Sequence, residues 1–69
     1  MKLNIEKVEA FRKSKGWRRS EMAKACGMPS STYHYIITGR SEPRMSTITD
    51  IAAAMKVKPT KLIKEEEKV

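Results

Sequence analysis

Gly27 divides the stretch from Arg19 to Gly39 into two short segments, and this division limits what the chain can fold into more than any other feature. A glycine takes the left-handed backbone conformation that a Cβ resists, so it can end one helix and turn the chain in a new direction. Before it, Met22, Ala23 and Cys26 lie at helical spacing on one side of a helix expected over about Arg19–Cys26. After it, Pro29 suits the first turn of another helix, where a missing N–H costs nothing. That helix is expected to run to about Ile37, with Tyr33, Ile36 and Ile37 inward, and to stop at Gly39. Its other side carries Ser30, Ser31, His34, Tyr35 and Thr38, and no carboxylate.

The flanking segments obey the same punctuation. Asn4 can cap a first helix running through about Ser14, with Ile5, Val8 and Phe11 as its inward stripe. Gly16 closes it, with Lys13 and Lys15 near its negative C-terminal end, and Trp17 is expected to pack over the core. Gly39 to Pro43 is loop by composition. A fourth helix over about Met45–Met55 places Ile48, Ile51, Ala52 and Met55 at helical spacing. Lys58-Pro59-Thr60 then opens an expected fifth helix with Leu62 and Ile63 as its apolar residues, and 64–69 are expected to fray. No strand-like alternation and no repeat is visible. The expectation is one all-α domain over 1–69.

Size and cysteine usage narrow the class. A chain of 69 residues supports one small core and leaves little room for a pocket. One Cys rules out an internal disulfide, and with one His there is no metal-ligating set. Cys26 is expected as a small buried apolar residue in a reducing cytoplasm. No apolar run reaches the ~18–20 residues of a membrane span, and the N-terminus lacks a signal-peptide core. One His and one Cys without a matching acid make no nucleophilic triad, and there is no phosphate-cradling Gly loop. Glu65, Glu66 and Glu67 read as a solvated run. An enzyme is not expected, nor a cofactor or small-molecule ligand.

Charge points to the partner. The formal net charge is +7. Residues 1–9 are balanced, Lys2 and Lys7 against Glu6 and Glu9. Residues 10–44 carry eight bases against Glu21 and Glu42, while 45–69 carry five lysines against four acids. The excess therefore lies on the segment holding the two short helices, which is the footprint of a polyanion binder.

The order of Phe11-Arg12, Gly16-Trp17, Glu21-Met22-Ala23, Gly27-Met28, Ser31-Thr32, Ile36, Gly39, Pro43, Ile51-Ala52 and Val57…Leu62-Ile63 resembles the Cro/C1-type, or Xre-like, helix-turn-helix family. The resemblance spans about residues 5–63. It implies a compact five-helix, lambda-repressor-like domain whose second and third helices form the helix-turn-helix. It further implies sequence-specific binding of double-stranded DNA, commonly as a homodimer on a palindrome, in the cytoplasm of a bacterium or on a phage-encoded protein.

In that geometry the third helix enters the major groove and its N-terminal residues meet base edges. By resemblance the base-reading positions fall on Ser30, Ser31 and Tyr35, with His34 on the same outward face. Ser hydroxyls donate or accept and so discriminate weakly, whereas Tyr35 can set its ring against a thymine methyl. The plainer alternatives are helix capping for the serines, surface packing for Tyr35 and a solvated or phosphate-facing side chain for His34. Phosphate contacts are assigned to Arg18, Arg19, Thr32, Thr38, Arg40, Ser41 and Arg44, against the alternative that any single Arg is merely solvated. Dimer contacts are assigned to Leu62 and Ile63.

Four positions depart from the family pattern. Arg18 stands where a capping Ser, Thr or Asn is common, leaving a second-helix start at Ser20 open beside Arg19. Pro29 replaces a capping hydroxyl, which would shift the cap to Ser30. Ile37 stands where a Glu often pairs with Arg12, so Arg12 is expected to point elsewhere. Tyr33 takes the place of a smaller aliphatic residue and implies a reshaped core. Beside a repressor-type regulator, two other readings fit the fold: the antitoxin of a toxin–antitoxin module, and a protein-interaction module that does not bind DNA. The first lacks an extension to wrap a toxin, and the second has no use for the clustered bases.

Overall fold

Asn4 starts the first helix as its sequence position implies: Asn4 Oδ1 accepts the Lys7 backbone N–H at 3.2 Å. The computed structural model describes residues 2–64. In chain order they form β1 (Lys2–Leu3), α1 (Ile5–Ser14), α2 (Arg19–Cys26), α3 (Ser30–Ile37), α4 (Met45–Met55), a 3₁₀ turn (Pro59–Leu62) and β2 (Ile63–Lys64).

The apolar stripes of all four helices meet in one core. Val8, Met22, Tyr33, Ile48, Ile51 and Leu62 are fully buried, with Ala23, Cys26, Ile36, Ala52 and Met55 around them. Burying an aliphatic or Met side chain is worth about 1.5–3 kcal/mol, against about 1 kcal/mol for a helix cap. Packing therefore dominates, and the helices need only modest help at their ends. Ile5, Phe11, Trp17 and Ile37 pack on the edge of this core. Trp17 sets its ring edge-on to Phe11, with centroids 5.9 Å apart. Cys26 is buried, and desolvation, followed by the charge of Asp50, pushes its thiol up to about 11.

Two expectations are corrected at the C-terminal end. The expected fifth helix is a four-residue 3₁₀ turn, so the described residues form four α-helices and are not wholly α. Ile63 and Lys64 instead pair antiparallel with the N-terminus, Leu3 opposite Ile63 and Lys2 opposite Lys64. The Asn4 N–H also takes the Leu62 carbonyl at 2.6 Å. Backbone groups that an α-helix would have used are thus claimed by a segment some sixty residues away in sequence. Strands of two residues carry no legible period, which is why no alternation announced them. Of the tail expected to fray, Lys64 lies in β2, while 65–69, with the Glu65–Glu67 run, lie outside the described residues.

The helix starts also resolve. α2 begins at Arg19, not Ser20; Arg18 is its extended N-terminal flank and offers no side-chain cap. Glu21 reaches back to accept the Arg18 N–H at 2.8 Å, one half of a capping box. Pro29, at φ −63° and ψ 148°, is the residue preceding α3, so the cap stays at Pro29 and does not move to Ser30.

Candidate nucleic-acid interface

The turn between α2 and α3 is what presents the second helix. Gly27 has φ 75° and its N–H returns to the Lys24 carbonyl, while the Met28 N–H reaches the Ala23 carbonyl at 3.0 Å. Pro29 then holds the chain extended before α3 begins. Tyr33 and Ile36 anchor one side of α3 in the core. Because offsets of three and four share a side, the opposite face carries Ser30, Ser31, His34, Tyr35 and Thr38, all exposed.

Arg19, Ser30, Ser31, His34 and Tyr35 line one shallow depression. The structure thus places all four residues assigned to base reading, and one assigned to phosphate, on a common surface. Tyr35 is 46% exposed, and its ring lies 6.2 Å from that of His34. No side-chain hydrogen bond caps α3, so the serines are not employed as caps. Thr38 is more committed: its hydroxyl donates to the His34 carbonyl at 2.8 Å. The N–H groups of Arg40 and Ser41 both return to the Tyr35 carbonyl, fixing the loop that leaves α3.

The remaining assigned residues are exposed but dispersed. Arg18 precedes α2 and Arg44 precedes α4; Thr32 lies in the first turn of α3, and Arg40 follows it. Ser41 lines a different groove, beside Leu3, Ile5 and Pro43. At the other end, Leu62 is at 0% exposure in the core of its own chain. A contact with a second copy through Leu62 would need this side chain to leave the core of its own chain. Ile63 keeps partial exposure.

Glu9 is the residue that sequence reasoning passed over, counting it only as a balancing charge. It binds Arg12 through Nε at 2.8 Å and accepts the Tyr33 hydroxyl at 2.8 Å. It also faces Arg19 Nε at 3.5 Å. Arg12 has its partners in Glu9 and in the Trp17 carbonyl, to which its Nη1 donates at 2.7 Å. Burial pushes the Glu9 carboxyl up, but the hydrogen bonds from Arg12 and Tyr33 and the charges of Arg12 and Arg19 outweigh it, holding the group below its ordinary 4.5. Burial, with the hydrogen bond to Glu9, pushes the Tyr33 phenol up. The spacing of Glu9 and Arg12 was a visible signal for their pair; the contacts to Arg19 and Tyr33 were not.

No helix among the described residues is long and apolar enough to cross a membrane, and none of their His, Cys, Asp and Glu side chains cluster as a metal site. The α3 face presents hydroxyl, imidazole and phenol groups and no carboxylate, with Arg19 beside it, an arrangement suited to a polyanion with hydrogen-bonding edges. No curated protein and no solved structure matches the chain. A family model described as helix-turn-helix matches residues 8–62, from the middle of α1 through the 3₁₀ turn. The match covers most of the chain, including the α2–Gly27–α3 unit, and so the chain belongs to the Cro/C1-type helix-turn-helix family of DNA-binding domains.

Proposed function

We propose that this protein is a sequence-specific transcriptional regulator that lays α3 in the major groove and represses by occlusion, a dimer covering a short palindrome and blocking polymerase. The observation that carries this reading is the common depression of Arg19, Ser30, Ser31, His34 and Tyr35 on an acid-free helix face. Ser30, Ser31 and Tyr35 read bases, with His34 beside them. Arg18, Arg19, Thr32, Thr38, Arg40, Ser41 and Arg44 contact phosphates around that edge. With Leu62 buried, the dimer contact at the C-terminal end falls to Ile63 and the surface around it.

Selection of bound sequences from random duplexes, followed by titration at several salt concentrations, tests the whole reading at once. A palindromic consensus with half-sites about one helical turn apart supports the dimeric regulator. A consensus without symmetry removes the dimer and leaves base reading. Binding with no sequence preference removes base reading, and absence of salt-sensitive binding removes DNA as the partner.

A further inference from the structure

Glu9 is the carboxylate on which α1, α2 and α3 converge, and its two oxygens share Arg12 but differ in their second partner. Oε2 accepts from Arg12 Nε and from the Tyr33 hydroxyl, both at 2.8 Å. Oε1 faces Arg12 Nη2 at 3.3 Å and Arg19 Nε at 3.5 Å. One oxygen thus serves packing within the domain, and the other is divided between Arg12 and the interface. The exposures differ in the same sense: the Glu9 side chain is 17% exposed and that of Arg19 is 51%. Arg19 therefore bridges a held carboxylate and the depression it lines with Ser30, Ser31, His34 and Tyr35. A guanidinium has five N–H donors, and this contact engages one nitrogen, leaving the terminal amino groups to the surface.

We propose that Glu9 is a positioning residue that restrains Arg19, offsetting its charge and holding its Nε, and so sets how strongly the interface grips phosphate irrespective of base sequence. The inference rests on the DNA-binding reading above. An ion pair at 3.5 Å whose guanidinium half is open to water is weak, so an approaching phosphate can compete for the guanidinium. The restraint is adjustable rather than permanent. Removing the Glu9 charge frees Arg19 to act on DNA with its full positive charge.

Glu9→Gln separates this role from packing. An amide oxygen in place of Oε2 still accepts from Tyr33 and Arg12 Nε, whereas the amide nitrogen in place of Oε1 confronts both Arg12 Nη2 and Arg19 Nε with another donor, and the Arg19→Ala background separates the two. Binding of the full chain to a random-sequence duplex, measured at several salt concentrations, is the readout. Glu9→Gln is expected to tighten binding about 2- to 5-fold, the scale of an exposed ion pair. It should also steepen the slope of log K against log salt by up to about one unit, while Arg19→Ala flattens it by about one. In the Arg19→Ala background, Glu9→Gln should lose most of both effects. An unchanged slope in Glu9→Gln, or an equal shift in both backgrounds, overturns the proposal. If Glu9→Gln does not fold, the native protein decides. On addition of the same duplex the Arg19 Nε–H resonance is expected to move while that of Arg12 stays; movement of both or of neither overturns it. Native protein without any salt-dependent binding overturns the DNA reading itself, a result distinct from native binding that Glu9→Gln leaves unaltered.

Discussion

The chain uses nearly the same local grammar twice, with different results. α2 ends at Gly27 in the left-handed region, Pro29 holds the chain extended, and eight residues of helix follow. α4 ends at Lys56, also left-handed at φ 58°, Lys58 is extended, and Pro59 opens a turn of four residues that becomes a strand. The difference lies in what comes next. Ser30–Ile37 buries one side against α2 and leaves the other in water, so nothing interrupts its helical hydrogen bonds. Leu62, Ile63 and Lys64 meet the N-terminal segment, whose backbone takes over at Asn4, Leu3 and Lys2. Equal punctuation gives a surface helix where no partner backbone is near and a closing strand where one is.

Substitutions at the two ends of the comparison should separate core from interface. Leu62→Ala is expected to have the largest effect, a loss of about 2–5 kcal/mol in urea unfolding, because the side chain is fully buried. The loss should be the same at low and high protein concentration; a concentration-dependent loss would return Leu62 to a dimer interface. Tyr35→Ala, on the exposed face of α3, should leave unfolding within about 0.5 kcal/mol of native. It should weaken binding to the selected site by about 1–3 kcal/mol. Equal weakening on random DNA would end its role in base reading.

Smaller effects probe the two helix ends. Gly27→Ala should cost about 1–2 kcal/mol from backbone conformation alone, since a Cβ there meets nothing within 4 Å. Lys56→Gly should change stability in the opposite direction by at most about 1 kcal/mol, because it relieves a left-handed lysine but loosens the unfolded chain. If both substitutions destabilise alike, the two turns are not equivalent. The smallest effect concerns acid. A carboxyl held below its ordinary value contributes stability above pH 4.5 that is lost as pH falls through its folded value. The free energy of unfolding measured from pH 5 to pH 3 should therefore fall less steeply in Glu9→Gln than in the native protein.

Much of the molecule was legible in its residues. The bounds of α1, α2, α3 and α4 follow from an Asn cap, glycine stops and apolar stripes, all of which act within a few residues. The outward set on α3 follows from helical period. The Glu9 contacts to Tyr33 and Arg19 were not legible, because they join α1 to residues 24 and 10 positions away whose approach depends on packing. Nor was the burial of Leu62, which in sequence looks the same as the partly exposed Ile63 beside it.

The sequence by itself determined where the helices run, which side of each is apolar, and that the excess charge flanks the α2–α3 unit. Those properties depend on neighbours within one or two helical turns. Only the tertiary structure decided that the last apolar pair divides between core and strand, and that Arg19 is tied to α1 through Glu9. Both outcomes require groups far apart in sequence to compete for the same hydrogen bonds, and that competition exists only once the chain has closed on itself.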